Sequence, residues 1–280
     1  MNIAEALKLA KNEFLAADSG RGGRDAVLLL MHATGRGRTL IYSHPEYVLS
    51  DEEERKFLAS LKRRCRREPI QYITGFQEFY GFEFEVTPDV LIPRPETELL
   101  VEYGSRALET SKDKHFLEVG VGSGCVSIAI LKMVPDSRCT AVDISPQAIE
   151  VARRNAISHG VPDRIELIQS DLFEAVEGSF DVLISNPPYI PRRDLAGLMA
   201  EVRDFEPHSA LDGGEDGLQV IRRLAEGAPA YLRKGGSIFI EVGAGQASAV
   251  ASLLENGPFS GVSITKDLAG IGRMVSAVRR

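Results

Sequence analysis

Two stretches of this 280-residue chain hold residue types whose spacing could do chemistry. The first is Glu118-Val119-Gly120-Val121-Gly122-Ser123-Gly124, which follows an apolar run and precedes a helical pattern. Glycine lets the backbone turn sharply and approach a ligand closely. A helix start behind it adds oriented N–H donors. The spacing is Gly-x-Gly-x-Gly, whereas the dinucleotide fingerprint wants its last glycine where this chain has Cys125. On its own the run also fits a tight turn without a ligand. Asp143 ends the next apolar run beyond Gly124, where an acid can accept both hydroxyls of a ribose. Its alternative role, capping the following helix, suits Ser145 better, with Pro146 behind it. Asp171, in Ser170-Asp171-Leu172-Phe173, could meet an adenine amino group while Leu172 covers the ring; it could equally cap a helix. A nucleoside cradle with no Walker lysine fits S-adenosylmethionine, which has ribose and adenine but no phosphate. Glu118 then suits the cationic methionine ammonium.

The second stretch is Asn186-Pro187-Pro188-Tyr189, directly after the apolar run Phe180–Ser185. In an open α/β sheet, ligands sit beyond the carboxyl ends of the strands, so this loop faces the pocket. Pro187 forces Asn186 into an extended backbone. Two prolines stiffen the loop and remove two N–H donors. The Asn186 side-chain oxygen and the Pro187 carbonyl become a rigid pair of acceptors beside the Tyr189 ring. A conjugated NH₂ nitrogen suits that pair. Its lone pair is delocalised, and two acceptors can hold both hydrogens, favour pyramidal character and aim the lone pair at a methyl sulfonium. Catalysis would rest on orientation and electrostatics. The alternative is a proline-rich strand exit with no catalytic part.

The elements that must position these residues change along the chain. Residues 1–75 read as short helices, at Ile3–Leu15, Ala26–Ala33 and from Ser50 to Arg67, with Ser50 and Glu53 forming a capping box. From Phe76 to Val86 alternation around Tyr80-Gly81 predicts a hairpin. A helix from Thr97 to Glu109 follows. Strand patterns at 115–119, 138–142, 164–169, 180–185 and 237–242 alternate with helices such as 126–132 and 146–159. That alternation predicts a mostly parallel sheet covered on both faces. Two further runs, 261–266 and 273–278, predict an antiparallel pair at one edge. The organisation expected is a helical substrate-recognition domain at 1–75, a hairpin linker at 76–95 and a catalytic α/β domain at 96–280.

Composition narrows the class. No apolar run reaches the roughly 18 residues of a membrane span. The N-terminal stretch 1–15 carries Glu5, Lys8, Lys11 and Glu13, unlike a signal peptide. Three cysteines and no export signal predict reduced thiols in the cytoplasm. The five histidines show no metal-ligand spacing, so no metal is expected. Net charge is −7. Residues 1–80 hold 13 basic and 11 acidic residues, a net +2; the remainder carries −9, which argues against a phosphate-tracking surface there.

The chain resembles the release factor glutamine methyltransferases (PrmC, also called HemK). The resemblance covers nearly the whole length. It rests on Glu68-Pro69-Ile70-Gln71-Tyr72-Ile73-Thr74-Gly75, Leu91-Ile92-Pro93-Arg94-Pro95-Glu96-Thr97-Glu98, the glycine loop and Asn186–Tyr189. Glu206-Pro207, Ala210-Leu211, Gly213-Gly214, Asp216-Gly217-Leu218, and Ile240-Glu241-Val242-Gly243 with Gln246 match as well. The resemblance implies a class I methyltransferase fold, a Rossmann-like seven-stranded sheet with a reversed last strand. It implies methyl transfer from S-adenosyl-L-methionine to the side-chain amide of the glutamine in the Gly-Gly-Gln motif of class I peptide chain release factors. It places Gly120, Gly122 and Gly124, with Val121 and Ser123 between them, along the cofactor. It gives Asp143 the ribose and Leu172 the adenine border, and Asn186, Pro187, Pro188 and Tyr189 the glutamine. Members often have Asp where this chain has Glu118, and some have an aromatic residue in place of Leu172.

Three other readings stand beside it. Asn-Pro-Pro-Tyr also occurs in adenine-N6 methyltransferases of nucleic acids, but no inserted recognition domain is visible for flipping a base. A ribosomal-protein glutamine is a nearby alternative substrate. A nucleotide-binding module without catalysis would not need the intact loop. The basic run Lys62–Arg67 reads as a solvated helix face or as a docking surface for the release factor. Arg94 and Glu98 would either brace the domains or face the pocket, and Cys125 reads as small packing.

Overall fold

The computed structural model describes residues 1–17 and 22–280. In chain order it runs α1 (Ile3–Ala16), α2 (Gly22–Thr34), α3 (Arg38–Ser43), α4 (Asp51–Cys65), α5 (Ile70–Thr74), β1 (Phe76–Phe79) and β2 (Phe82–Glu85). Then come α6 (Glu98–Glu109), β3 (His115–Val119), α7 (Cys125–Met133), β4 (Arg138–Asp143), α8 (Pro146–Ser158), β5 (Ile165–Gln169) and β6 (Phe180–Ser185). The chain ends with α9 (Ala200–Arg203), α10 (Gln219–Tyr231), β7 (Leu232–Glu241), α11 (Ala247–Glu255), β8 (Phe259–Lys266) and β9 (Gly272–Arg279).

The chain forms two units. One holds Met1–Phe76 together with Met199–Phe205. The expected capping box at the start of α4 is present, with Ser50 accepting from the Glu53 N–H and Glu53 accepting from the Ser50 N–H. Asn2 and Glu5 make a second one on α1. Helix α4 also has acids in its first turn and bases in its last, which opposes its dipole correctly at both ends. Ile3, Ala6, Ala10 and Phe14 fall on one face of α1 and meet Leu29, Leu30, Ile41, Phe57 and Leu61 in the core. The basic run is not one solvated face. Arg64 is buried, with Nε 2.8 Å from Asp25 and a second contact of 3.5 Å to Glu201. Arg63 pairs with Glu68, and Arg67 lies 3.4 Å from Glu201. Lys62, Arg63 and Arg66 are the exposed members.

The other unit holds Gln77–Leu198 and Glu206–Arg280. Its sheet has seven strands in the order β5-β4-β3-β6-β7-β9-β8. Strands β3 to β7 pair in parallel, while β9 runs antiparallel to both β7 and β8. Alternate residues feed two cores. Phe116, Val182 and Ile184 join side chains of α6, α7 and α8, while Leu117, Leu183 and Ile238 join those of α10 and α11. The chain steps outward from β3 to β5, then returns to lay β6 beside β3. That reversal leaves a crevice at the carboxyl ends of these two strands.

The predicted hairpin is β1 and β2. Its turn residues Tyr80 and Gly81 have φ of 53° and 76°, the pair of positive values a two-residue loop needs. Helix α10 carries no clear sequence signal because it contains Gly227 and Pro229. A Cβ at Gly227 would lie 2.6 Å from the Phe173 ring, so close packing of α10 selects the residue that weakens its helical pattern.

Candidate active site

A cavity opens at the crevice between β3 and β6. Glu118, Gly120, Val121, Gly122 and Ser123 line it from the first turn, Asp143 from β4, and Asp171 with Leu172 from the segment after β5. Asn186, Pro187 and Pro188 line it from the end of β6. Eleven of the thirteen residues expected at the site therefore share one cavity. Gly124 and Tyr189 do not line it.

The glycine turn is held by backbone bonds. The N–H groups of Gly120 and Val121 both donate to the Val142 carbonyl, at 2.8 and 3.0 Å. Gly120 and Gly122 have φ of 83° and 53°, and a Cβ on Gly122 would meet nothing within 4 Å. Gly124 serves packing. At φ 79° it caps α7, and a Cβ there would sit 3.2 Å from Ala152 Cβ.

The acids differ in their surroundings. Glu118 is buried, and its Oε2 accepts the Ser127 N–H at 3.0 Å as well as the Ser127 hydroxyl. Burial pushes its carboxyl up to about 8, against the pull of those two donors. Asp143 accepts the Gly122 N–H and the Ser145 N–H, each at 2.9 Å, so it braces the turn as well as facing the cavity. Burial raises its pKa too. Asp171 pairs with Arg223 at 3.0 Å, a partner the sequence does not reveal. Leu172 has φ 52°, a strained left-handed conformation for a branched side chain and of the kind found at ligand sites.

Asn186 donates Nδ2 to Thr97 Oγ1 at 3.2 Å, which leaves Oδ1 as the acceptor at its other end. Ser185 Oγ donates to the Val119 carbonyl at 2.7 Å and locks the end of β6 to β3. The loop beyond is clamped by Gln246, whose Nε2 donates to the Tyr189 carbonyl at 2.8 Å while its Oε1 accepts from the Gly243 N–H. Tyr189 Oη lies 3.5 Å from Glu241 Oε1, and burial raises its phenol well above the usual value.

Arg94 lines the cavity and pairs with buried Glu206, which also accepts the Ile92 N–H at 3.2 Å. Glu98 instead accepts the Tyr80 N–H at 2.9 Å and holds the hairpin. Cys125 lines the cavity rather than packing away from it. Thr97 and Ser127 escape functional reading from sequence. A single hydroxyl beside a helix start gives no signal beyond a cap.

The charge of the lining tests the cofactor. Asp89, Glu118, Asp143, Asp171 and Asp212 face Arg94 and Arg223, and each arginine already has a carboxylate partner. Such a wall offers a pyrophosphate little unpaired positive charge and suits a cationic nucleoside. Strand order, the reversed β9 and the crevice at the reversal are those of the class I S-adenosylmethionine-dependent methyltransferases. The same fold occurs in a methyltransferase from Pyrococcus furiosus, with a TM-score of 0.53 at 20% identity over 71% of this chain and 90% of that one. A family profile described as PrmC N-terminal domain matches residues 5–75, and one described as methyltransferase small domain matches 95–201. The release factor glutamine methyltransferase of Cereibacter sphaeroides is 42% identical over 99% of this chain and 98% of its own. That of Geobacter sulfurreducens is 43% identical over 88% and 86%. The chain belongs to the release factor glutamine methyltransferase family.

Proposed function

We propose that this protein methylates the side-chain amide nitrogen of the glutamine in the Gly-Gly-Gln motif of class I release factors. S-adenosyl-L-methionine supplies an electrophilic methyl group on a sulfonium. Gly120 to Ser123 and Asp143 hold its nucleoside end, Leu172 borders the adenine, and Glu118 neutralises its ammonium. Asn186 Oδ1 and the Pro187 carbonyl accept the two N–H groups of the glutamine amide. They orient its nitrogen and favour the pyramidal form that frees the lone pair. Transfer would form the N–C bond as the S–C bond breaks, leaving the neutral thioether S-adenosylhomocysteine, and the extra proton on nitrogen would pass to water.

The observation that carries this reading is the meeting of two chemistries in one cavity. Acids suited to a cationic nucleoside line one wall, and the rigid acceptor pair of Asn186 and Pro187 lines another. The helical unit is assigned to recognition of the release factor.

A labelled methyl-transfer assay tests the proposal. It compares an intact release factor, the same factor with its motif glutamine changed to alanine, and duplex DNA. Label on the intact factor alone supports it. Label on DNA, or none on the factor, overturns it.

A further inference from the structure

Behind Asn186 stands a group the proposed reaction does not use. Glu241, the last residue of β7, is 3% exposed, and its Oε2 is buried without a hydrogen-bond partner. The Tyr189 hydroxyl lies 3.5 Å from its Oε1, and the Thr97 hydroxyl is near enough to pull its pKa down. Thr97 is itself 3% exposed and already accepts the Asn186 Nδ2–H at 3.2 Å. The Thr97 proton must therefore point elsewhere, and the adjoining acceptor is the Glu241 carboxylate.

A carboxamide is nearly symmetric in shape. Flipped end for end, Asn186 would offer the cavity two N–H donors in place of an acceptor. Nothing about its size prevents this; only its neighbour decides. A hydroxyl can donate or accept, so Thr97 alone does not decide either. An ionised carboxylate can only accept. It accepts the Thr97 hydroxyl hydrogen and turns the Thr97 lone pairs to Asn186, so that Thr97 receives the NH₂ and Oδ1 is left at the other end of the amide.

We propose that Glu241 is a positioning residue that sets, through Thr97, which end of the Asn186 amide faces the substrate. The proposal rests on the reading that Asn186 Oδ1 accepts an N–H of the glutamine amide. A protonated Glu241 could donate to Thr97, let Thr97 donate to Asn186, and reverse the whole chain.

The surroundings put that reversal within reach of ordinary pH. Burial pushes the Glu241 carboxyl up to about 7. Glu96, in the turn before α6, pushes the same way. Arg273 on β9 and the Thr97 and Tyr189 hydroxyls oppose it, and Arg273 is itself paired with Asp267 at 2.8 Å. Cys125 on α7 is a further titratable neighbour, and its thiol is held protonated by burial.

The test measures kcat against pH at saturating cofactor and release factor, with cofactor Kd measured on each variant. The wild-type kcat is expected to rise as pH passes about 7. Glu241→Gln should lower kcat at pH 8 by about ten- to a hundredfold, lose that rise, and keep its cofactor Kd. Thr97→Val should behave in the same way, and Thr97→Ser should restore most of the turnover lost. Wild-type kcat and pH profile in both Glu241→Gln and Thr97→Val would overturn the proposal. If Glu241→Gln does not fold, the Thr97 pair decides alone. An inactive wild type, or full activity in Asn186→Ala, would refute the proposed function instead.

Discussion

Glu118 shows how one side chain can tie ligand affinity to pH. Its carboxyl rises from the usual 4.5 to about 8 because burial removes it from water. Binding a cation beside it favours the ionised form, so binding releases a proton below that pH. Cofactor affinity should therefore increase from pH 6.5 to about 8 and level off above it, which calorimetry at several pH values would show. Glu118→Gln should bind more weakly and lose the slope. The same group acts on stability with the opposite sense. A folded pKa above the unfolded one means the ligand-free protein binds the extra proton, so stability falls as pH rises between about 4.5 and 8. The acceptor loop makes a different prediction. Asn186→Ala should leave cofactor Kd near normal and reduce kcat by about a hundredfold, because one of two orienting contacts is lost. At this scale much was legible. Asn186, Asp143 and Glu118 stand where strand ends put them. The Asp171–Arg223 pair and the Thr97–Asn186 bond were not legible, since each joins residues more than 50 positions apart.

Elements follow the same division between local and distant causes. The capping box at Ser50, the Tyr80-Gly81 turn and the five parallel strands are written in neighbouring residues, and the structure has all of them. Helix α10 is not, because Gly227 answers to Phe173 across the fold. Helix α6 packs on β6 in the same manner. A Cβ at Gly104 would approach Ile184 Cδ1 to 2.6 Å and Ile130 Cδ1 to 3.1 Å. Gly104→Val should destabilise the protein by about 1–3 kcal/mol through overpacking, seen as a lower urea midpoint. It should also reduce turnover, because Thr97 precedes α6 and Asn186 follows β6. On the helical unit, Lys62 and Arg66 are exposed one turn apart near the end of α4. If that face docks the release factor through its positive charge, the double change to glutamate should raise KM for the factor several-fold. An unchanged KM would remove α4 from the docking surface.

For the whole molecule, the informative feature is which residues make up each unit. The helical unit contains a short segment, Met199–Phe205, that lies far along the chain from the rest of it. The sequence suggested a boundary near residue 75, and nothing in the composition of 199–205 marks it as different. Ion pairs from Arg64 and Arg67 to Glu201, with Asp25 on the Arg64 guanidinium, reveal the tie. Arg64→Leu should leave Asp25 buried without its cation and cost about 3–5 kcal/mol. Limited proteolysis should then cut faster within 199–205 than in the wild type. This membership also bears on inheritance. A gene segment encoding residues 1–75 could not be exchanged cleanly for a foreign one, because the recipient would keep a segment fitted to the lost partner. That segment lies between the Asn-Pro-Pro-Tyr loop and Glu206, the buried partner of Arg94. The helical unit and the stretch that follows the Asn-Pro-Pro-Tyr loop are therefore bound to change together, as a single heritable piece rather than as two interchangeable parts.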